Sequence, residues 1–177
     1  MSQTSIIFRV LRPSDVSIVY QWFNLPHVQA FYSLRSWTES EVSEKVSPYF
    51  DGTNGVQGYI AEKEGQPFGY AQVYAVKNFP WENQDLPKDV LETVAGMDLF
   101  IGDPLALGQG LGQKMIESFL NQIVWKKFNF AIVDPDSHNT ASIRCFEKSG
   151  FKLHKIIDSK TALGKSCQLQ LMIKKRN

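Results

Sequence analysis

Gly108, Gly110 and Gly112 alternate directly ahead of Met115, Ile116, Phe119, Leu120 and Ile123, an apolar set at helical spacing. A glycine turn that opens a helix gathers unpaired N–H groups at the positive end of the helix dipole, and without side chains a phosphate can reach them. The same turn could equally tighten a strand-to-helix joint. No Gly-Lys-Ser/Thr follows, and the spacing is not G-x-G-x-x-G, so neither an ATP loop nor a dinucleotide fingerprint is present. Carboxylates flank the turn. Asp98 lies in the preceding strand, where alternation can turn it towards a cleft or towards solvent. Asp134 ends the next strand in an Asp-Pro pair, itself an ordinary strand terminator. Between Trp81 and Asp103 six acids, Glu82, Asp85, Asp89, Glu92, Asp98 and Asp103, face the single base Lys88. Such a stretch attracts cations or forms a solvated, helix-capping loop. Trp81, Phe31, Tyr32 and Trp37 could add cation–π contacts or stack on sugar faces.

The elements that must carry these groups follow from periodicity. A strand over Ile6 to Leu11 leads through Arg12-Pro13-Ser14-Asp15 into a helix marked by Val16, Val19, Tyr20 and Phe23. An irregular aromatic segment, Asn24 to Trp37, precedes Thr38-Glu39-Ser40-Glu41, a capping box for a helix running towards Tyr49. Gly58 to Glu62 and Pro67 to Val76 read as a hairpin turned at Lys63-Glu64-Gly65-Gln66. Lys77 to Leu91 reads as a loop, long enough to be functional. Val94 to Ile101 is a strand, then come the glycine loop and its helix, a strand at Phe128 to Val133, a helix from Asn139 to Ser149 closed by Gly150, and a strand pair at Phe151 to Ile157 and Ser166 to Ile173. The expected fold is one domain over residues 1–177. It is a mixed α/β sheet of six to seven strands with about four helices.

A length of 177 residues suffices for one core without metal or disulfide support. The formal charge of +1 and the lack of a basic stripe speak against nucleic acid as a partner. Cys145 and Cys167 form neither a disulfide framework nor a metal-ligand cluster, so no metal is expected and a reducing cytoplasm suits the chain. Cys145, on the apolar side of its helix, is expected in the core rather than as an acyl-carrying nucleophile. The N-terminus lacks a signal-peptide pattern and no apolar run reaches about 20 residues, so no membrane association is expected. His27 and His138 could move protons, but an isolated loop histidine is more often structural or exposed.

The segment Asn139-Thr140-Ala141-Ser142-Ile143-Arg144-Cys145-Phe146-Glu147-Lys148-Ser149-Gly150-Phe151 closely resembles the GNAT acetyltransferase pattern N-x-x-A-x-x-x-Y-x-K-x-G-F. With the glycine loop upstream, the pair of motifs is specific. Tyr20-Gln21-Trp22 with Asn24 and His27, Gly69-Tyr70-Ala71-Gln72, Gly96-Met97-Asp98, Leu107 to Gly112, Asp134-Pro135 and Ile143-Arg144-Cys145 extend the resemblance to the aminoglycoside 6'-N-acetyltransferases. It implies strands splayed to form an acetyl-coenzyme A cleft, and acetyl transfer to a primary amine of a cationic small molecule. The positions it implies for the coenzyme are Leu99, Phe100, Ile101, Leu107, Gly108, Gln109, Gly110, Leu111, Gly112, Gln113, Asn139, Ser142 and Phe146. It places the functional carboxylate at Asp98 and an amine-holding aspartate at Asp134, and the acidic stretch that begins at Trp81 adds Trp81, Glu82 and Asp85 to the acceptor side. Other GNAT acceptors, a protein N-terminus, a polyamine or a siderophore amine, remain open, as do a non-catalytic coenzyme A-binding module and monomer or homodimer assembly.

Acetyl transfer needs a neutral amine, a polarised thioester carbonyl and a route for a proton. Deprotonating an amine of pKa about 9 at neutral pH costs roughly 2.7 kcal/mol, which a nearby carboxylate can offset. The resemblance assigns that work to Asp98 and carbonyl polarisation to a backbone N–H near Leu99 to Ile101. Two positions depart from the pattern. Leu107 replaces a polar residue at the loop entrance, and Phe146 replaces the tyrosine that protonates the departing thiolate. Water, Tyr70 or Ser142 could supply that proton, or the thiolate leaves unassisted.

Overall fold

In the computed structural model, which describes residues 5–80 and 84–177, seven strands form one mixed sheet. The elements in chain order are β1 (Ile6–Val10), α1 (Val16–Phe23), α2 (Pro26–Val28), α3 (Glu39–Val46), β2 (Val56–Lys63), β3 (Gln66–Ala75), α4 (Lys88–Leu91), β4 (Val94–Ile101), α5 (Leu111–Gln122), β5 (Phe130–Val133), α6 (Thr140–Lys148), β6 (Lys152–Lys160) and β7 (Ser166–Lys175). Across the sheet the order is β1-β2-β3-β4-β5-β7-β6, antiparallel except where β4 and β5 run parallel. Local chemistry accounts for several joints. Glu64 and Gly65 both take positive φ, 53° and 74°, which suits a two-residue hairpin between right-twisted strands. Thr38 and Glu41 complete the reciprocal capping box expected before α3.

The structure refines the expected elements at three places. The aromatic segment after α1 is ordered into α2 and a π-helical turn, Gln29–Ser33, that ends at Leu34 with φ 64°. The loop expected over Lys77 to Leu91 contains α4, held down by the buried side chain of Val90. Trp81 and Glu82, expected on the acceptor side, lie outside the described residues. The last two strands run further than expected, to Lys160 and Lys175, because each gives the other its ladder.

Alternate residues of β4 serve opposite faces. Ala95 and Met97 are buried against Met115, Ile116 and Phe119 of α5. Phe100, two residues beyond Asp98, packs on the other face with Trp22, Phe23 and Tyr70. Asp98 is therefore on the face opposite α5. The β4–β5 ladder covers only Val94 to Gly96 and then stops. Beyond Val133 the chain stays with β7: Gln170 N–H donates to Pro135 O, Ser137 N–H donates to Gln168 O, and Asp136 bridges Leu169. β5 follows β7 away from β4, leaving one edge of β4 from Met97 onward without a β5 partner.

Candidate active site

Hydrogen-bond alternation decides which backbone groups the splay exposes. Gly102 N–H donates to Phe68 O at 2.8 Å, so in the antiparallel register Phe100, Asp98 and Gly96 bond to β3. The peptide groups of Leu99 and Ile101 consequently point to the open edge. His27 Nε2 lies 3.0 Å from Ile101 O, tying α2 to the end of this edge.

The three glycines of the following loop serve two purposes. Gly108 and Gly110 have φ of 71° and 69°, and a Cβ on either would meet nothing within 4 Å. Their need is conformational, and the space before them is open. A Cβ on Gly112 would lie 3.1 Å from Cys145 Sγ, so this glycine sets the close approach of α5 to α6. Leu111 is buried, whereas Leu107 and Gln109 are exposed, and Gln109 Nε2 donates to Leu105 O. Gln113 Nε2 donates to Glu117 Oε1 along α5. On α6, Asn139 Oδ1 caps the helix by accepting from Ser142 N–H at 3.2 Å. Phe146 is 6% exposed and packs edge-on against Phe151, inside the core formed with α5. Tyr70, one option for protonating the thiolate, is 1% exposed and donates its hydroxyl to Gln72, so burial removes it from that task.

Asp98 Oδ2 accepts from Gln72 Nε2 at 2.9 Å. Both Asp98 and Asp134 line one open cavity of about 1190 Å³, with Tyr49, Gln72, Tyr74, Phe79 and His138 and with residues 157–160 and 166–169 of the β6–β7 hairpin. Burial pushes the Asp98 carboxyl above its ordinary range, against the opposing pull of the Gln72 hydrogen bond and of Lys45. Asp134 is pushed up to about 7, by burial first and then by the charge of Asp98. The Asp134 side chain opens into the cavity and keeps contact with water. Burial first, and then the charges of Asp98 and Asp134, raise the phenol of Tyr74 on the same wall.

Several expected acceptor-side residues fall elsewhere. Asp85 is exposed and ion-paired with Lys155, away from the residues lining the cavity. Tyr32 and Trp37 are half-buried and pack edge-on against Phe23 at 5.7 and 5.5 Å between centroids, and the Trp37 face is taken by the chain's own Arg35 guanidinium at 3.9 Å, so neither lines the cavity. The cavity aromatics are Tyr49, Tyr74 and Phe79. These, together with Gln72 and the β6–β7 hairpin, were not selected from the sequence. The only available signal was Gly69-Tyr70-Ala71-Gln72 leading into an alternating strand. His138 joins the cavity wall and sits 3.0 Å from Asp136 Oδ1. Among the described residues no group of His, Cys, Asp or Glu is arranged to hold a metal ion, and no helix is long and apolar enough to cross a membrane.

A splayed parallel pair, a glycine turn capping α5 and a capped α6 beside it form the acyl-coenzyme A cleft of one protein class. The acetyltransferase (GNAT) domain model matches residues 12–159, and the chain belongs to that family. It is an acetyl-coenzyme A-dependent N-acetyltransferase. Among its relatives are aminoglycoside N(6')-acetyltransferases type 1 of Klebsiella pneumoniae and Serratia marcescens, each 30% identical over 161 residues, covering 85% of this chain and 76% of the relative. The crystal structure of an aminoglycoside acetyltransferase, AAC(6')-Ib, with coenzyme A superposes with a TM-score of 0.82 at 27% identity, over 97% of this chain and 95% of that one. The complex of the same enzyme with coenzyme A and kanamycin gives 0.80 at 27% identity, with the same coverage.

Proposed function

We propose that this enzyme acetylates a primary amine of a cationic small molecule, an aminoglycoside at its 6'-amine, by direct attack on acetyl-coenzyme A. The observation that carries the reading is the convergence of Asp98 and Asp134 on one cavity beside the open edge of β4. The names of the relatives and the kanamycin complex support the acceptor class.

The glycine loop offers backbone N–H groups and a helix N-terminus to the pyrophosphate of the coenzyme. Asn139, whose oxygen is occupied as a cap, has its amide N–H groups for the pantetheine arm. Bound acetyl-coenzyme A supplies the acyl group as a thioester. The N–H groups of Leu99 and Ile101 are the donors the open edge presents to an acyl oxygen. Asp98 takes one proton of the incoming ammonium, the neutral amine nitrogen bonds to the acyl carbon, and as the carbon–sulfur bond breaks the nitrogen releases its second proton to water or to the departing sulfur. With Phe146 packed in the core, water or Ser142 returns a proton to the thiolate, or it departs as the anion, which its moderate basicity permits. Asp134 holds a second ammonium of the acceptor.

The test is turnover of a panel of kanamycin-like and other amines with mass detection of the product. Acetylation of aminoglycosides at the 6'-amine is the expected result, and activity confined to other amines would reject it. Asp134→Asn is expected to raise acceptor KM by on the order of 10-fold, the scale of one hydrogen bond to a charged group, with acetyl-coenzyme A affinity unchanged. Gly110→Ala tests the loop. Its Cβ meets nothing in the protein, so only about 1–2 kcal/mol of left-handed backbone strain affects the fold. Coenzyme A affinity measured by calorimetry should fall by more than that strain alone explains.

A further inference from the structure

We propose that Gln72 is a positioning residue for the base: a buried tyrosine fixes the orientation of its amide, so that it holds one oxygen of Asp98 and leaves the other for the incoming amine. The inference rests on the reading of Asp98 as the base. Gln72 stands directly opposite Asp98 in the β3–β4 register, so their side chains rise from the same face as neighbours. Tyr70, two residues earlier on that face, donates its hydroxyl to Gln72 Oε1 at 2.9 Å. Its ring is stacked on Phe100 at 25° and 5.5 Å between centroids, and the side chain is fully enclosed, so the hydroxyl has little room to swing. Burial holds the phenol of Tyr70 well above its ordinary range, keeping it a donor at any working pH. Tyr32 from the π-helical turn points a second hydroxyl at the same oxygen, at 3.5 Å.

An amide whose oxygen already accepts from a phenol must present its NH2 to the next partner. Were Gln72 flipped, its oxygen would face the acceptor-only carboxylate with no proton between them, and Tyr70 would have to turn its hydroxyl from donor to acceptor. The observed order, Tyr70 to Gln72 to Asp98, is the one in which every group is satisfied, and it ends in donation from Nε2 to Asp98 Oδ2 at 2.9 Å. Oδ1 is left as the proton acceptor.

The amide also favours the charged carboxylate against burial, and that charge in turn raises Asp134 at the end of β5. Lys45 of α3 acts in the same sense as Gln72. Among the described residues, the other titratable groups on the cavity wall are the phenols of Tyr49 and Tyr74, with His138, Asp158, Lys160 and Cys167.

The test is the pH profile of kcat/KM for Gln72→Leu and Tyr70→Phe beside wild type and Asp98→Asn, with acetyl-coenzyme A affinity measured in parallel. Loss of a hydrogen bond to a charged group should lower kcat/KM for Gln72→Leu by on the order of 10- to 100-fold and move its acid limb to higher pH by roughly one unit. Tyr70→Phe, which keeps the NH2 but frees the amide to flip, should move the limb in the same direction by less. Coenzyme affinity should not change in either. An acid limb that superimposes on wild type in both variants overturns the positioning role, even if rates fall. If Gln72→Leu does not fold, Tyr70→Phe alone decides between these outcomes. Full activity in Asp98→Asn would instead reject the base itself, so the two failures are separable.

Discussion

Asp98→Asn is expected to lower kcat/KM for an aminoglycoside by about 10²- to 10⁴-fold, the usual contribution of a positioned general base. Asparagine has nearly the same shape and still offers an oxygen to Gln72 Nε2, so geometry is preserved while proton acceptance is lost. The same substitution should raise Tm. In the folded protein Asp98 is shifted upward chiefly by burial, and Asp134 is raised by burial and by Asp98, so the ionised pair opposes folding. The sign follows from proton counting. A carboxyl with a raised folded pKa binds more protons folded than unfolded, and stability falls as pH climbs from the unfolded value of 3.8 through the raised one. The gain in Tm from Asp98→Asn should accordingly be larger at pH 8 than at pH 5, by scanning calorimetry. Activity of the wild type should decline on acidification as the base is protonated. A variant with wild-type turnover, or one with a lower Tm at pH 8, would contradict the assignment of Asp98 as a half-buried, functionally charged base.

Gly96→Ala should produce the second large effect. An added Cβ at Gly96 would lie 2.3 Å from Cζ and 2.6 Å from the hydroxyl oxygen of Tyr74, whose ring crosses β4 and meets Phe79 edge-on at 5.3 Å. The ring must move. Overpacking of this kind costs about 1–3 kcal/mol, or roughly 2–12 °C in Tm for a domain of this size. Tyr74 shares the cavity wall with Asp98 and Asp134, so acceptor KM should rise by about 10-fold or more while coenzyme affinity, served by the opposite side of the splay, is retained. Tyr74→Leu should absorb part of the loss: the double variant Gly96→Ala with Tyr74→Leu is expected to be less destabilised than the two single changes summed. Additive losses would show that Gly96 does not exist to admit that ring.

The local features of this chain were legible because they are written in consecutive residues. Gly108, Gly110 and Gly112 announced a glycine turn opening a helix, Thr38 and Glu41 announced a cap, Glu64-Gly65 announced a hairpin, and the order strand, glycine loop, helix was plain. The strand Val94 to Ile101 was delimited correctly, since its neighbours end it with Gly102-Asp103-Pro104. Aromatic residues were harder to sort. A tyrosine or tryptophan suits a core and a ligand wall equally well, and Tyr32 and Trp37 proved to be packed on Phe23, while Tyr74 and Phe79 reached the cavity.

By itself the sequence determined the family, the glycine turn, and the presence of one carboxylate in β4 and another at the end of β5. Tertiary structure decided what those carboxylates face. Strand register set Gln72 opposite Asp98, continuation of β5 along β7 opened the edge of β4, and the distant β6–β7 hairpin closed the far wall. Each of these depends on pairing between segments far apart in the chain, and a shift of one residue in any ladder would turn the same side chains to the other face.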